Sequence, residues 1–263
     1  MGKIICIFEH FSGLLFRKKG SMKRKNAQPP PLFQNPEADG SSFEWMTDSN
    51  TGIVCLHGFT ATTVEVRTFA RELHQMGYCV NGPLLPGHGV SPEEMNKVRW
   101  EDWFDAADSA FQRMERQCEN IFLVGESTGA LLSILLAIKH PQVKGLLLFA
   151  PALKIPGLWM SRIVWPFKQY IYKKNVDLTS PWQGFNVIPL HGASELARLQ
   201  MKVRRELSGV ETPLILFQGK KDQTIDPMSA VIVLEKAGST DKQLVWLEES
   251  PHVILLEGPL SNV

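Results

Sequence analysis

From residue 43 onward the chain alternates short apolar runs with helical patterns, and this alternation constrains the fold more than any other feature. Strand-like runs occupy Phe43–Thr47, Ile53–Leu56, Tyr78–Asn81, Ile121–Val124, Leu146–Phe149, Leu214–Phe217 and Leu244–Leu247. Helical patterns separate most of them. Val66, Phe69, Ala70, Leu73 and Met76 share one helical face, and Gly77 ends it. Ser91-Pro92-Glu93-Glu94 combines an N-cap serine, a first-turn proline and a capping-box glutamate, and Trp100 to Met114 repeats apolar residues at helical spacing. Asp226-Pro227 starts a further helix that runs to Gly238. Such a chain predicts an α/β fold with a mainly parallel central sheet and helices on both faces.

One stretch breaks the rhythm. Between Pro151 and about Gly192 stand five prolines and three tryptophans, Trp159, Trp165 and Trp182, with Phe167, Tyr170 and Tyr172. An aromatic insertion without clean strand or helix periodicity reads as a small cap over the sheet, about residues 152–192.

Upstream, Ile4–Phe16 is apolar but interrupted by Glu9, His10 and Ser12, and a basic stretch from Arg17 to Lys25 follows it. It is too short and polar to span a bilayer, and it lacks the charge order of a secretory signal. Residues 4–25 read as a disordered leader or as an interfacial segment on an anionic membrane, or Met22 is the true start. Pro29-Pro30-Pro31 and the polar residues to Ser42 read as an unstructured linker, so 1–42 is taken as a leader and 43–263 as one domain. A length of 263 residues with 44% hydrophobic and 21% charged residues is ample for one core, and the net charge of +1 gives no reason to expect a nucleic-acid partner. The four cysteines, Cys6, Cys55, Cys79 and Cys118, show neither CxxC spacing nor scaffold density, so reduced thiols and a cytoplasmic location are expected.

The chemistry-bearing signal is Gly125-Glu126-Ser127-Thr128-Gly129, set between the run Ile121–Val124 and the apolar helix Ala130–Lys139. G-x-S-x-G in a strand-to-helix setting predicts a sharp turn that presents the serine oxygen at the strand's carboxyl end, beside a helix N-terminus. A serine hydroxyl needs a base. Of seven histidines, His252 follows the last strand candidate and a short loop, which puts it at the same edge of the sheet. His57 and His88 lie in glycine-flanked loops and suit loop geometry, while His10, His74, His140 and His191 read as surface or structural. The orienting acid should lie between serine and histidine, just past a strand. Asp222 meets this after Leu214–Phe217; Asp226 competes, but its place before Pro227 fits a helix cap. His57-Gly58-Phe59-Thr60 follows Ile53–Leu56, where Phe59 N–H could join Thr128 N–H in stabilising an oxyanion.

With these residues placed, the chain resembles the carboxylesterase/monoacylglycerol lipase group of α/β hydrolases over about residues 43 to 257. HGFT, GYCV, PLLPGHGVSPEE, WEDW, GESTGA, LLLFAPAL, QGKKDQTIDP and SPHVILLE carry the resemblance, in that order. It implies a triad of Ser127, Asp222 and His252, oxyanion donors Phe59 and Thr128, no cofactor or metal, and monoacylglycerols or short to medium acyl esters as substrates. The same triad would also serve an acyltransferase or thioesterase, and a catalytically silent lipid-binding protein is the reading from a different class. Three departures stand out. Glu126 takes a usually neutral place beside the serine and is expected to bring negative charge to the site; Glu257 replaces a common aspartate; and the chain stops soon after it, where relatives add a helix, which implies dimerisation or truncation.

Overall fold

A computed structural model of the protein describes residues 29–257, apart from residue 175. Its strands are β1 (Phe33–Gln34), β2 (Phe43–Trp45), β3 (Thr51–Leu56), β4 (Cys79–Gly82), β5 (Asn120–Glu126), β6 (Gly145–Phe149), β7 (Tyr170–Tyr172), β8 (Gly184–Phe185), β9 (Val187–Pro189), β10 (Leu214–Gly219) and β11 (Lys242–Leu247). The helices are α1 (Val64–Gln75), α2 (Pro92–Met95), α3 (Trp100–Glu115), α4 (Thr128–Lys139), α5 (Ser161–Val164), α6 (Leu190–Glu206), α7 (Met228–Lys236) and α8 (Ile254–Glu257).

Seven strands form one sheet in the order β11-β10-β6-β5-β3-β4-β2, and each expected run falls on one of them. Every neighbouring pair is parallel except β2 against β4. The central strands carry unbroken apolar runs because helices cover both faces: Val54, Cys55 and Leu56 of β3 are fully buried. Next to the edge strand β11, β10 alternates, with Leu214 and Leu216 inside and Ile215 exposed. Helix α4 is buried along ten of its twelve residues, wedged between the sheet and helices α3 and α6. Gly77 does end α1, at φ 97°, with its N–H donating to His74 O.

Two expectations need correction. Residues 29–42 are not a free linker: β1 pairs antiparallel with β8 of the aromatic insertion. The polar residues that suggested a linker are used in hydrogen bonds. Gln34 Nε2 donates to Asp177 O and Ser180 O, Asn35 Nδ2 donates to Ser180 O and Trp182 O, and Gln183 Nε2 donates to Asn35 O and Ala38 O. Second, α6 went unforeseen although it buries Leu190, Ala193, Leu196, Leu199 and Val203 at helical spacing. It starts straight after Pro189 with no side-chain cap to announce it. The insertion between β6 and α6 holds a 3₁₀ turn (Leu158–Met160), α5 and three short strands, of which β7 pairs antiparallel with β9.

Cys55, Cys79 and Cys118 are buried and unpaired. No helix of the described residues is long and apolar enough to cross a membrane. The expected interfacial segment 4–25, Met22, Cys6 and the chain beyond Glu257 lie outside the described residues.

Candidate active site

Ser127 stands between β5 and α4 at φ 56° and ψ −109°, a region that a residue with a side chain enters only where its surroundings enforce it. Here Ser127 N–H donates to Phe149 O, and Ser127 O accepts from Ala152 N. The flanking glycines are required by contact rather than by their own flexibility. A Cβ on Gly125 would lie 2.4 Å from Gly129 O, and one on Gly129 would lie 2.0 Å from Leu56 O. The start of α4 therefore abuts the end of β3.

The carboxyl ends of the other strands bring the remaining residues to this turn. His252 Nε2 lies 3.1 Å from Ser127 Oγ, and His252 Nδ1 lies 2.8 Å from Asp222 Oδ2. Asp222 follows β10, and its other oxygen accepts N–H bonds from Thr224 (2.8 Å) and Ile225 (3.0 Å). Burial works to raise the Asp222 carboxyl, but the His252 charge and these donors outweigh it and hold it below the usual carboxylate range. Burial works to lower His252, yet the charge and hydrogen bond of Asp222, with the charge of Glu65, leave it above the ordinary 6.5. Asp226 points elsewhere. It accepts from Met228 N at the start of α7 and pairs with Lys154 at 2.6 Å.

His57 and His88 are buried beneath the loop after β3. Burial pushes His57 down to about 4, so it stays neutral, its Nδ1–H donating to Gly58 O while Nε2 accepts from Leu85 N. This loop, His57 to Thr60, lies against the serine: a Cβ on Gly58 would come within 3.1 Å of Ser127 Cβ. Phe59 and Thr128 thus sit on abutting segments, and the first-turn N–H of Thr128 has no carbonyl to meet within its own helix.

Glu126 corrects an expectation. Its side chain is fully buried and turned away from the reacting face, with Oε1 accepting the N–H groups of Ile254 and Leu255. It ties down the segment just beyond His252. A different carboxylate stands near the serine, and nothing in the spacing of the sequence announced it. Glu65 of α1 is 4% exposed, accepts Gly58 N–H at 2.5 Å, and faces Lys173 and Trp182 of the insertion. Ser127 and His252 open into a cavity of about 330 Å³, a size suited to one small ligand. Ile155, Leu158, Ile171, Ile188, Leu190 and Leu196 line it with apolar surface, and Gln34, Glu65, Lys173 and Trp182 add polar groups. Among the described residues, no group of three or more His, Cys, Asp or Glu side chains could hold a metal ion.

A family profile described as Hydrolase_4, serine aminopeptidase S33, matches residues 48–184 and 179–259. The chain belongs to this family. Curated relatives include a thermostable monoacylglycerol lipase of Bacillus sp. (strain H-257), 28% identical over 228 residues, covering 85% of this chain and 91% of the relative. A carboxylesterase of Bacillus subtilis (strain 168) is 29% identical over 211 residues, covering 78% and 85%. A solved structure from work on LipS and LipT, two metagenome-derived lipolytic enzymes, superposes with a TM-score of 0.80 at 24% identity, covering 89% of this chain and 95% of that one. The sheet described above is thus that of an α/β hydrolase, and the resemblance to the carboxylesterase and monoacylglycerol lipase group holds.

Proposed function

We propose that this family member hydrolyses carboxylic esters through an acyl-enzyme on Ser127, with His252 as base and Asp222 as its orienting acid. The observation that carries the reading is the unbroken hydrogen-bonded chain from Asp222 through His252 to Ser127, on a serine held at positive φ. As Ser127 Oγ attacks the ester carbonyl, its proton passes to His252 Nε2, while Nδ1–H stays on the ring and donates to Asp222 Oδ2. The developing oxyanion is met by the N–H groups of Phe59 and Thr128. His252 then returns the proton to the departing alcohol, and a water repeats the sequence to release the acid.

For the substrate, the apolar cavity supports a single acyl chain, and the names of the relatives support monoacylglycerols or short to medium acyl esters. The segment of about residues 152–192 acts as the cap over that chain. The family description suggests peptides, but Glu65, a carboxylate that lines the cavity with Ser127, already faces Lys173, which disfavours its use as an anchor for a free α-amino group. The free thiols of Cys55, Cys79 and Cys118 support a cytoplasmic setting.

The test is a p-nitrophenyl ester series from acetate to palmitate, run beside mono- and triacylglycerols. Each methylene buried contributes up to about 0.8 kcal/mol, so kcat/KM should climb several-fold per methylene until the cavity is full. A flat series, or faster turnover of triacylglycerol than of monoacylglycerol, argues against the enclosed single-chain site.

A further inference from the structure

The loop that carries Phe59 is held by more than its own turn. Glu65 Oε2 accepts Gly58 N–H at 2.5 Å, one residue before Phe59. Lys173 Nζ donates to Thr60 Oγ1 at 2.7 Å, one residue after it, and Phe185 N–H donates to Thr60 O at 2.9 Å. Thr60 itself is bent to φ 67°. Both clamping side chains reach in from elements outside the loop: Glu65 from α1, Lys173 from the insertion just after β7. They are joined to each other through Trp182, whose Nε1–H donates to Glu65 Oε1 at 3.4 Å and whose ring lies 4.3 Å from Lys173 Nζ.

A buried carboxylate is costly unless its partners compensate, and substituting an apolar pair often leaves a fold no less stable. Stability alone therefore gives little reason for a Glu–Lys pair beside the nucleophile. Neither residue is needed to move the proton from Ser127. What the pair does contact is the residue on each side of Phe59: the N–H of Gly58 and the hydroxyl of Thr60.

We propose that Glu65 and Lys173 are positioning residues: together they hold Phe59 N–H where the oxyanion forms and latch the insertion onto that loop. The proposal rests on Ser127 being the nucleophile. A shift of about 1 Å in such a donor costs on the order of 100-fold in turnover. Glu65→Leu should therefore lower kcat about 100-fold with KM nearly unchanged. Glu65→Gln, which keeps an oxygen for Gly58 N–H, should recover most of the loss. The affinity for a boronic acid that mimics the tetrahedral adduct should fall in step with kcat across these variants.

The pair also leaves a mark on pH dependence. Asp222, Glu65 and Lys173 are the charged groups that face His252. Burial pushes the Glu65 carboxyl up and the Lys173 ammonium down to about 7, so Lys173 is positive on the acid side of that value. Negative charge at Glu65 favours the imidazolium, so Glu65→Gln should move the acid limb of kcat/KM to lower pH, and Lys173→Met, which removes the opposing positive charge present there, should move it higher.

The experiment measures kcat, KM, boronate affinity and the pH limb for Glu65→Leu, Glu65→Gln and Lys173→Met, normalised to folded protein by thermal melting. A fall in kcat at constant KM, rescue by Gln and opposite limb shifts support positioning. A rise in KM at constant kcat would make the pair a substrate-binding site and overturn it. Losses that merely follow the folded fraction, with no limb shift, would make it structural and also overturn it. If Glu65→Leu does not fold, Glu65→Gln and Lys173→Met still decide through the limb shifts. Fluorophosphonate labelling separates the two readings. A wild type that does not label at Ser127 sinks the serine mechanism; a wild type that labels while Glu65→Leu labels equally fast sinks the positioning role alone.

Discussion

Replacing Gly129 by alanine tests the oxyanion geometry with a single methyl group. The new Cβ would stand 2.0 Å from Leu56 O, 2.5 Å from Leu56 C and 2.9 Å from His57 O, where ordinary contact begins at 3.4 Å. All three atoms are backbone, so no side chain can swing aside. The start of α4 and the end of β3 must part by roughly 1 Å, and these are the segments that carry Thr128 N–H and the Phe59 loop. Overpacking of this kind destabilises by about 1–3 kcal/mol. In a domain this size, that lowers Tm by roughly 2–12 °C. The larger effect is on chemistry, about 100-fold in kcat at little change in KM. The assay is steady-state hydrolysis of a soluble p-nitrophenyl ester, well below the variant's own melting transition. Gly209→Ala is the control, since its Cβ would meet nothing closer than Ile138 at 3.8 Å. A folded Gly129→Ala variant with kcat within about threefold of wild type would refute the placement of these donors, because a misplaced donor cannot be silent.

Ser127→Ala or His252→Ala should lower kcat by about 10,000-fold or more, and Asp222→Asn by a similar or somewhat smaller factor, measured on the same ester. Asp226→Asn should cost only a little stability through the α7 cap and the Lys154 pair; if it cripples turnover and Asp222→Asn does not, the acid has been misidentified. Deleting residues 1–21 should leave kcat/KM on a soluble ester near wild type. Deleting 1–42 should lower both Tm and kcat/KM, because β1 and Gln34 go with it, and equal activity of the two truncations would show that β1 is dispensable.

The sheet was legible because its central strands are short unbroken apolar runs, a pattern produced by burial on both faces. Ser127 was legible because the start of α4 lies hard against the end of β5 at Gly125 and the end of β3 at Gly129, which admits only glycine at both positions, and these bracket the serine. What escaped depends on contacts between distant residues. Glu65 sits in the first turn of α1, where a glutamate is ordinarily explained by the helix dipole, so its turn inward to Gly58 left no trace in spacing. Lys173 stands in a charged pair with Lys174, which reads as solvated surface. Glu126 was placed by sequence proximity to Ser127, but its carboxylate is committed to Ile254 and Leu255. The polar stretch before Ser42 read as linker because its hydrogen-bond partners, Asp177 to Gln183, are far along the chain. Helix α6 was hidden by its abrupt start after Pro189.

The pairing of β1 with β8 bears on the order in which this molecule is completed. Gln34 and its partner Asp177 are 143 residues apart, so a segment made before the sheet finds its neighbours only after most of the sheet has been synthesised. Long-range closures of this kind carry the larger loop entropy and come late in folding. Until the insertion arrives, a nascent chain can hold the turn at Ser127 without the wall that Gln34 and Lys173 supply. In the order of synthesis the turn at Ser127 thus precedes the chamber into which it opens.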